Sequence, residues 1–297
     1  MPKTGGIFIV KDAKTISNLI TLLKSRKMIV ENEEKANRLL LHNNYYRLSG
    51  YWRKFQINPD AGNDDFVSDT TFEKIIAIYN LDTSLRNLLQ QGVGVFEICF
   101  RSAFAYHASH SKPDGQFLYL CEKAYRNDYI SKGENPEDLL ESIRTELKRS
   151  KERCVAHYRN KNEPIPMWAA VEVLSFGTIS KMYSRWIDRE VVKKVSQTFT
   201  MFRDYSHTAQ IVRSLVNLRN QCAHQARLWN RELTAPVLNR DYLQKFGTSE
   251  ERAQWRIISI LMLLVDDITR CPDYSKEVME LCSANADFYK GLIEPTL

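Results

Sequence analysis

Glycine and proline are scarce in this 297-residue chain, which has 11 and 9 of them. A β-rich fold needs many tight turns, and these two residues supply most of them, so their scarcity points to helices joined by few loops. The six cysteines, at 99, 121, 154, 222, 271 and 282, include no CxxC pair. That gives neither a zinc ribbon nor a disulfide framework, and a reducing cytoplasm is the expected location. Long apolar runs are lacking as well. The longest, Ile257–Val265, is closed by Arg256 and by Asp266 with Asp267, and it falls well short of the ~20 residues that a membrane span requires. The first ten residues carry one lysine and a four-residue apolar run, too little for a signal peptide. No P-loop, dinucleotide-binding or nucleophile-elbow motif occurs. His107 and His110 have no nearby cysteine or paired carboxylate, so no metal site and no cofactor are expected.

What is present is ordinary for a folded protein: 43% hydrophobic and 26% charged residues, with a net charge of +6. The length allows a sizeable core, and the charge is compatible with nucleic acid without requiring it. Two short helices are expected over 13–42, followed by an aromatic cluster at 43–55 and the loop sequence NPDAGNDD at 58–65. That loop marks the expected edge between an N-terminal subdomain, 1–65, and a larger helical domain, 66–297. A hairpin around Tyr51–Phe55 and Phe66–Val67 is weakly signalled. From Thr71 to about His107 the periodicity is helical, with Leu85, Leu89, Phe96, Phe100 and Ala103 within about 60° of one another. Residues 108–135 read as irregular and 137–158 as one charged helix. Gly177 reads as a C-cap after the apolar MWAAVEVLSF. A single helix is expected over 206–231, and another over 249–270 from a Thr248/Glu251 capping box.

The segment RNQCAHQARLWNR, 219–231, carries the most chemistry. On one helix Ile211, Leu215, Leu218 and Cys222 form the apolar stripe, while Asn220, His224, Arg227 and Arg231 repeat on the opposite face, with Arg219 on the flank. These groups suit RNA phosphodiester chemistry. A histidine can move the proton of a 2′-hydroxyl or of the leaving oxygen, arginine can stabilise the charged transition state with its fork, and asparagine can position either. Trp229 stands beside them. The plainer alternative is a polar helix surface ending in a capping histidine. A second group, Glu97 and Arg101 with His107, offers a carboxylate and a guanidinium one turn apart, equally readable as a surface ion pair. Around 43–55, Arg47, Arg53 and Lys54 interleave with Tyr45, Tyr46, Tyr51, Trp52 and Phe55. That pattern is able to stack bases, or to form an aromatic core seam.

Five stretches occur in order: NNYYRLSGYW (43–52), IYNLDTSLRNLL (78–89), EICFR (97–101), PMWAAVEVLSFGTIS (166–180) and RNQCAHQARLWNR (219–231). Together they resemble the bacterial abortive-infection Abi family of AbiF/AbiD type, over about 13–270. The resemblance implies an all-α, HEPN-type helical bundle and a metal-independent endoribonuclease with an R-x4-6-H motif. Arg219, Asn220 and His224 match that motif, and Glu97 with Arg101 match the family's acidic-arginine motif. Also implied are cleavage leaving a 2′,3′-cyclic phosphate, a toxin role in phage defence, restraint by a small structured antitoxin RNA, and a homodimer with a composite site. Arg227, Arg231, Trp229, Arg47, Arg53 and Lys54 are the expected RNA contacts. Position 225, often a second histidine in the family, is Gln here. A non-catalytic RNA-binding HEPN module is the alternative.

Overall fold

The structure, a computed structural model, describes residues 12–126, 135–200, 207–233, 244–247 and 249–296. Helix dominates and strand is confined, among the described residues, to one small hairpin, so the chain is all-α in class. No helix is long and apolar enough to cross a membrane among the described residues. The chain divides into two compact units, 1–81 and 82–296.

The first unit begins with two capped helices. Thr15 accepts from Asn18 N at the start of α1 (Ile16–Ser25), and Asn32 accepts from Lys35 N at the start of α2 (Glu33–Asn43). Each cap satisfies a donor that the first helical turn leaves open. Helix α3 (Tyr45–Trp52) carries the aromatic cluster. Strands β1 (Gln56–Asn58) and β2 (Asn63–Phe66) then pair antiparallel, Gln56 opposite Phe66, with Gly62 at φ 83 in the connection. The loop expected to end a subdomain at 58–65 is therefore the turn of a hairpin inside the unit. The division falls instead within α4 (Phe72–Ser109), because Phe72, Ile75, Ile76 and Ile78 are buried and Tyr51 packs edge-on against Tyr79 at 5.3 Å. Apolar burial extends the N-terminal core into the first turns of α4.

The second unit is a helical bundle around the rest of α4. Leu85, Leu89, Val93, Phe96, Phe100 and Phe104 are fully buried along it; Ala103, expected in that stripe, is only half-buried. Phe96 and Phe100 meet Phe176 and Phe199, and Phe104 meets Tyr183 and Trp186, in offset and edge-on contacts favoured by ring quadrupoles. Helices α5 (Pro136–Arg149), α6 (Arg153–Asn160), α7 (Met167–Ala170), α8 (Phe176–Arg185), α9 (Arg189–Gln197), α10 (Thr208–Ala223), α11 (Gln254–Thr269), α12 (Asp273–Ser283) and α13 (Ala286–Ile293) complete it. Helix α10 packs on α8 and α11 through Ile211, Leu215, Leu218 and Cys222, all buried as their spacing predicts.

Several boundaries differ from expectation. The charged segment 137–158 is two helices, broken at Ser150–Glu152. Arg159 folds back there to donate to Leu147 O, Lys148 O and Ser150 O, satisfying carbonyls that α5 leaves open at its end. Gly177 is not a C-cap. It lies in the first turn of α8, whose N-cap Ser175 accepts from Thr178 N at 3.1 Å. Thr248 lies outside the described residues, and α11 starts at Gln254 with no side-chain cap.

Candidate functional site

Helix α10 stops eight residues before the expected end. His224 is its C-cap, and Gln225 takes a left-handed conformation at φ 54. Ala226 N donates to Gln221 O and Gln225 N to Cys222 O, at 2.8 and 3.0 Å. This is the paired closure of a Schellman motif, with glutamine where glycine is usual. The single helix expected over 206–231 is thus corrected, and its cause is tertiary. Leu228, Trp229 and Asn230 are buried in the core of the unit, and a helix continued past 223 would carry them away from it.

A buried ion pair holds the turn. Asp82 and Arg86, one turn apart on α4, have fully enclosed side chains. Asp82 accepts from Leu228 N at 3.3 Å and Trp229 N at 3.1 Å, while Arg86 also donates to Thr83 Oγ1, Gln225 Oε1 and Ala226 O. The pair therefore satisfies the main chain just beyond His224, anchors Gln225, and lies beside Cys222, whose thiol burial pushes up to about 12. Neither residue was expected at the site. The signal was present, an acid and a base four residues apart on the flank of the Leu85–Leu89 stripe, where unpaired charges would be costly.

Above this floor, Arg219, Asn220 and His224 are exposed together at the end of α10. Arg219 Nη1 donates to Asn220 Oδ1 at 3.3 Å, and His224 N donates to Asn220 O at 3.0 Å. A guanidinium, an amide and an imidazole thus face solvent within six residues, beside a turn fixed from below. Arg231 is exposed nearby in sequence and Arg227 is half-buried.

Other expected residues are placed elsewhere. Trp229 has no exposed surface. Its indole N–H donates to Asp287 O and Phe288 O, and its ring lies where a Cβ on Gly291 would stand 2.2 Å from Nε1. It is a core residue and offers no face to a base, which corrects its expected RNA contact. Glu97 and Arg101 do pair, but Arg101 Nη1 also donates to Val171 O and Leu174 O at 2.5 and 2.6 Å. Among the described residues neither bonds to Arg219, Asn220 or His224. At 1.5 Å per residue they lie about 16 and 22 Å along α4 from Arg86, the residue that touches the turn after His224. The structure makes this pair a brace for the segment after α7. His107 lies further along, its pKa lowered by burial and then by Lys194 and His110. In the first unit, Tyr51, Trp52 and Phe55 are core, Arg47 Nε donates to Tyr79 Oη at 3.2 Å, and Arg53 pairs with Asp60 at 2.5 Å. Lys54 is half-buried, and Tyr46 is 81% exposed. The aromatic cluster is thus mainly a core seam.

Residues 38–230, about two thirds of the chain, match the family described as Abi-like protein. The chain belongs to the Abi-like protein family. No curated protein and no solved structure matches it. The matched segment of this Abi-like chain runs from α2 to Asn230, and so takes in both the buried Asp82–Arg86 pair and the exposed Arg219–Asn220–His224 group.

Proposed function

We propose that this Abi-like protein is a metal-independent endoribonuclease of HEPN type, acting in phage defence by abortive infection. Family membership supports the defence role. The observation that carries the chemistry is the joint exposure of Arg219, Asn220 and His224 on a turn anchored by Asp82 and Arg86. In the reaction, the 2′-hydroxyl oxygen attacks the adjacent phosphorus and its proton passes to a basic nitrogen. The bond from phosphorus to the 5′-oxygen breaks, and that oxygen takes up a proton. The products are a 2′,3′-cyclic phosphate and a 5′-hydroxyl. His224 carries one of the two proton transfers, Arg219 stabilises the charge on the non-bridging oxygens, and Asn220 positions either group. Arg227 and Arg231 hold flanking phosphates.

One imidazole cannot be base and acid in the same step. The second transfer falls to His224 of the partner subunit across a two-fold axis, which makes the active form a homodimer. A small structured RNA fits the same reading as an antitoxin that occupies the site. The test is incubation of the purified protein with cellular RNA in EDTA. Wild type is expected to leave cyclic phosphate ends and His224→Ala none, with RNA binding retained. Binding without cleavage by the wild type would instead establish a non-catalytic RNA-binding module.

A further inference from the structure

A second cationic surface is built from elements other than α10 and its turn, on α5, α6 and α7. Residues 148–161 hold six basic residues against one acidic residue, Glu152, a local excess close to that of the whole chain. Arg159 is taken up by carbonyls of the α5–α6 turn. Lys148, Arg149, Lys151, Arg153 and Lys161 are exposed, and among the described residues their side chains make no ion pair or hydrogen bond. Of the nearby carboxylates, Glu146 is engaged elsewhere: it accepts from Ser175 N and from the Ser175 and Thr178 hydroxyls at the start of α8. On α6, Arg153 and His157 lie opposite the buried Val155. Beside them, Cys154 Sγ touches Ala169 O at 3.9 Å, which sets α7 against α6. Trp168 projects from α7 with 53% of its surface exposed, although its neighbours Met167, Ala169 and Ala170 are buried.

The contact of Cys154 with Ala169 ties α7 to α6, so the exposed Trp168 ring belongs to the same part of the fold as the unpaired cations. A lone cationic patch would suit any polyanion, but a flat ring at its rim suits one with bases to stack. We infer that the α5–α6–α7 surface is a binding site for single-stranded RNA, with phosphates on the lysines and arginines and a base on Trp168. This rests on the RNA reading of the chain but not on any chemistry at His224. It gives the protein a grip on its RNA separate from the point of cleavage.

The test uses a fluorescent 2′-O-methyl oligonucleotide about 12 nucleotides long, which lacks the attacking hydroxyl and so cannot be cut. Binding is followed by anisotropy across a salt series. Arg149→Ala/Lys151→Ala/Arg153→Ala is expected to weaken binding at least tenfold and to reduce the slope of log affinity against log salt by about 2, at ~0.7 per phosphate contact. Trp168→Ala is expected to weaken binding several-fold with the slope kept, and Trp168→Phe to restore most of it. Wild-type affinity and slope in the triple variant would overturn the inference. So would patch-dependent binding to phosphatidylglycerol vesicles but not to the oligonucleotide. Failure of the His224→Ala experiment on unmodified RNA would sink the nuclease reading and leave this surface untouched.

Discussion

Arg86 and Asp82 are enclosed completely, so neither can lose its partner without leaving a charge in the core. Arg86→Met is expected to cost about 3–5 kcal/mol, as for the breaking of other buried pairs, and Asp82→Asn/Arg86→Met to cost less than the sum of the single changes. Urea denaturation of the three variants measures this. Arg101 is a milder case, half-buried and bonded to two carbonyls as well as Glu97. Its change to alanine is expected to lower stability by about 1–3 kcal/mol, because Val171 O and Leu174 O lose their donor. The thiols divide in the same way. Cys121 and Cys154 are exposed, whereas Cys222 and Cys282 are buried with their thiols pushed up to about 12. An aromatic disulfide reagent should label the first two in the native protein and the second two only after unfolding.

At the scale of the element, the turn after α10 rests on one unusual residue. Gln225 is left-handed at φ 54, a conformation that costs a side chain about 1 kcal/mol and glycine almost nothing. The Arg86–Gln225 contact compensates. Gln225→Ala loses the contact and keeps the strain, so it is expected to be about 1 kcal/mol less stable than Gln225→Gly by thermal melting. The same turn marks the limit of what the sequence discloses. The stripe Ile211–Leu215–Leu218–Cys222 was legible because 3.6-residue periodicity is a local property, and the long α4 was legible for the same reason. The end of α10 was not. It depends on Asp82, over a hundred residues away, capturing the amides of Leu228 and Trp229. Trp229 illustrates the point: beside histidine and arginine it reads as part of a polar face, and only its close packing on Gly291 shows why it is core. The exposure of Arg219, Asn220 and His224 was legible, because all three lie off the apolar stripe of α10.

For the molecule as a whole, buried acids that ionise only in alkali set the upper pH edge of stability. Burial raises the folded-state pKa of Cys222 and Cys282 above the ordinary thiol value, and raises Tyr119, Tyr183 and Tyr274 as well. In the unfolded chain these groups release protons from about pH 8.5–10, while in the folded chain they stay neutral. Stability is therefore fully present below that range and falls as pH rises from about 9 towards 12. Melting temperatures at pH 8 and pH 10.5 should show the drop. Light scattering addresses the proposed assembly. A two-chain mass is expected at working concentration, and a monomer that cuts RNA at full rate would refute the composite site.

The segment shared with the Abi-like family ends at Asn230, and Asp82 within it holds only part of that end in place. Trp229 donates to Asp287 O and Phe288 O, Asn230 N donates to Gly291 O, and Thr296 donates through its amide and hydroxyl to Asn230 Oδ1. The segment is thus finished by helix α13 and the residues after it, more than fifty positions downstream. A chain trimmed to the shared segment would expose an indole and two unsatisfied amide groups within a few residues of His224. Cutting after Asn285 should accordingly yield an aggregating or protease-sensitive product, even though every residue proposed for catalysis is still present.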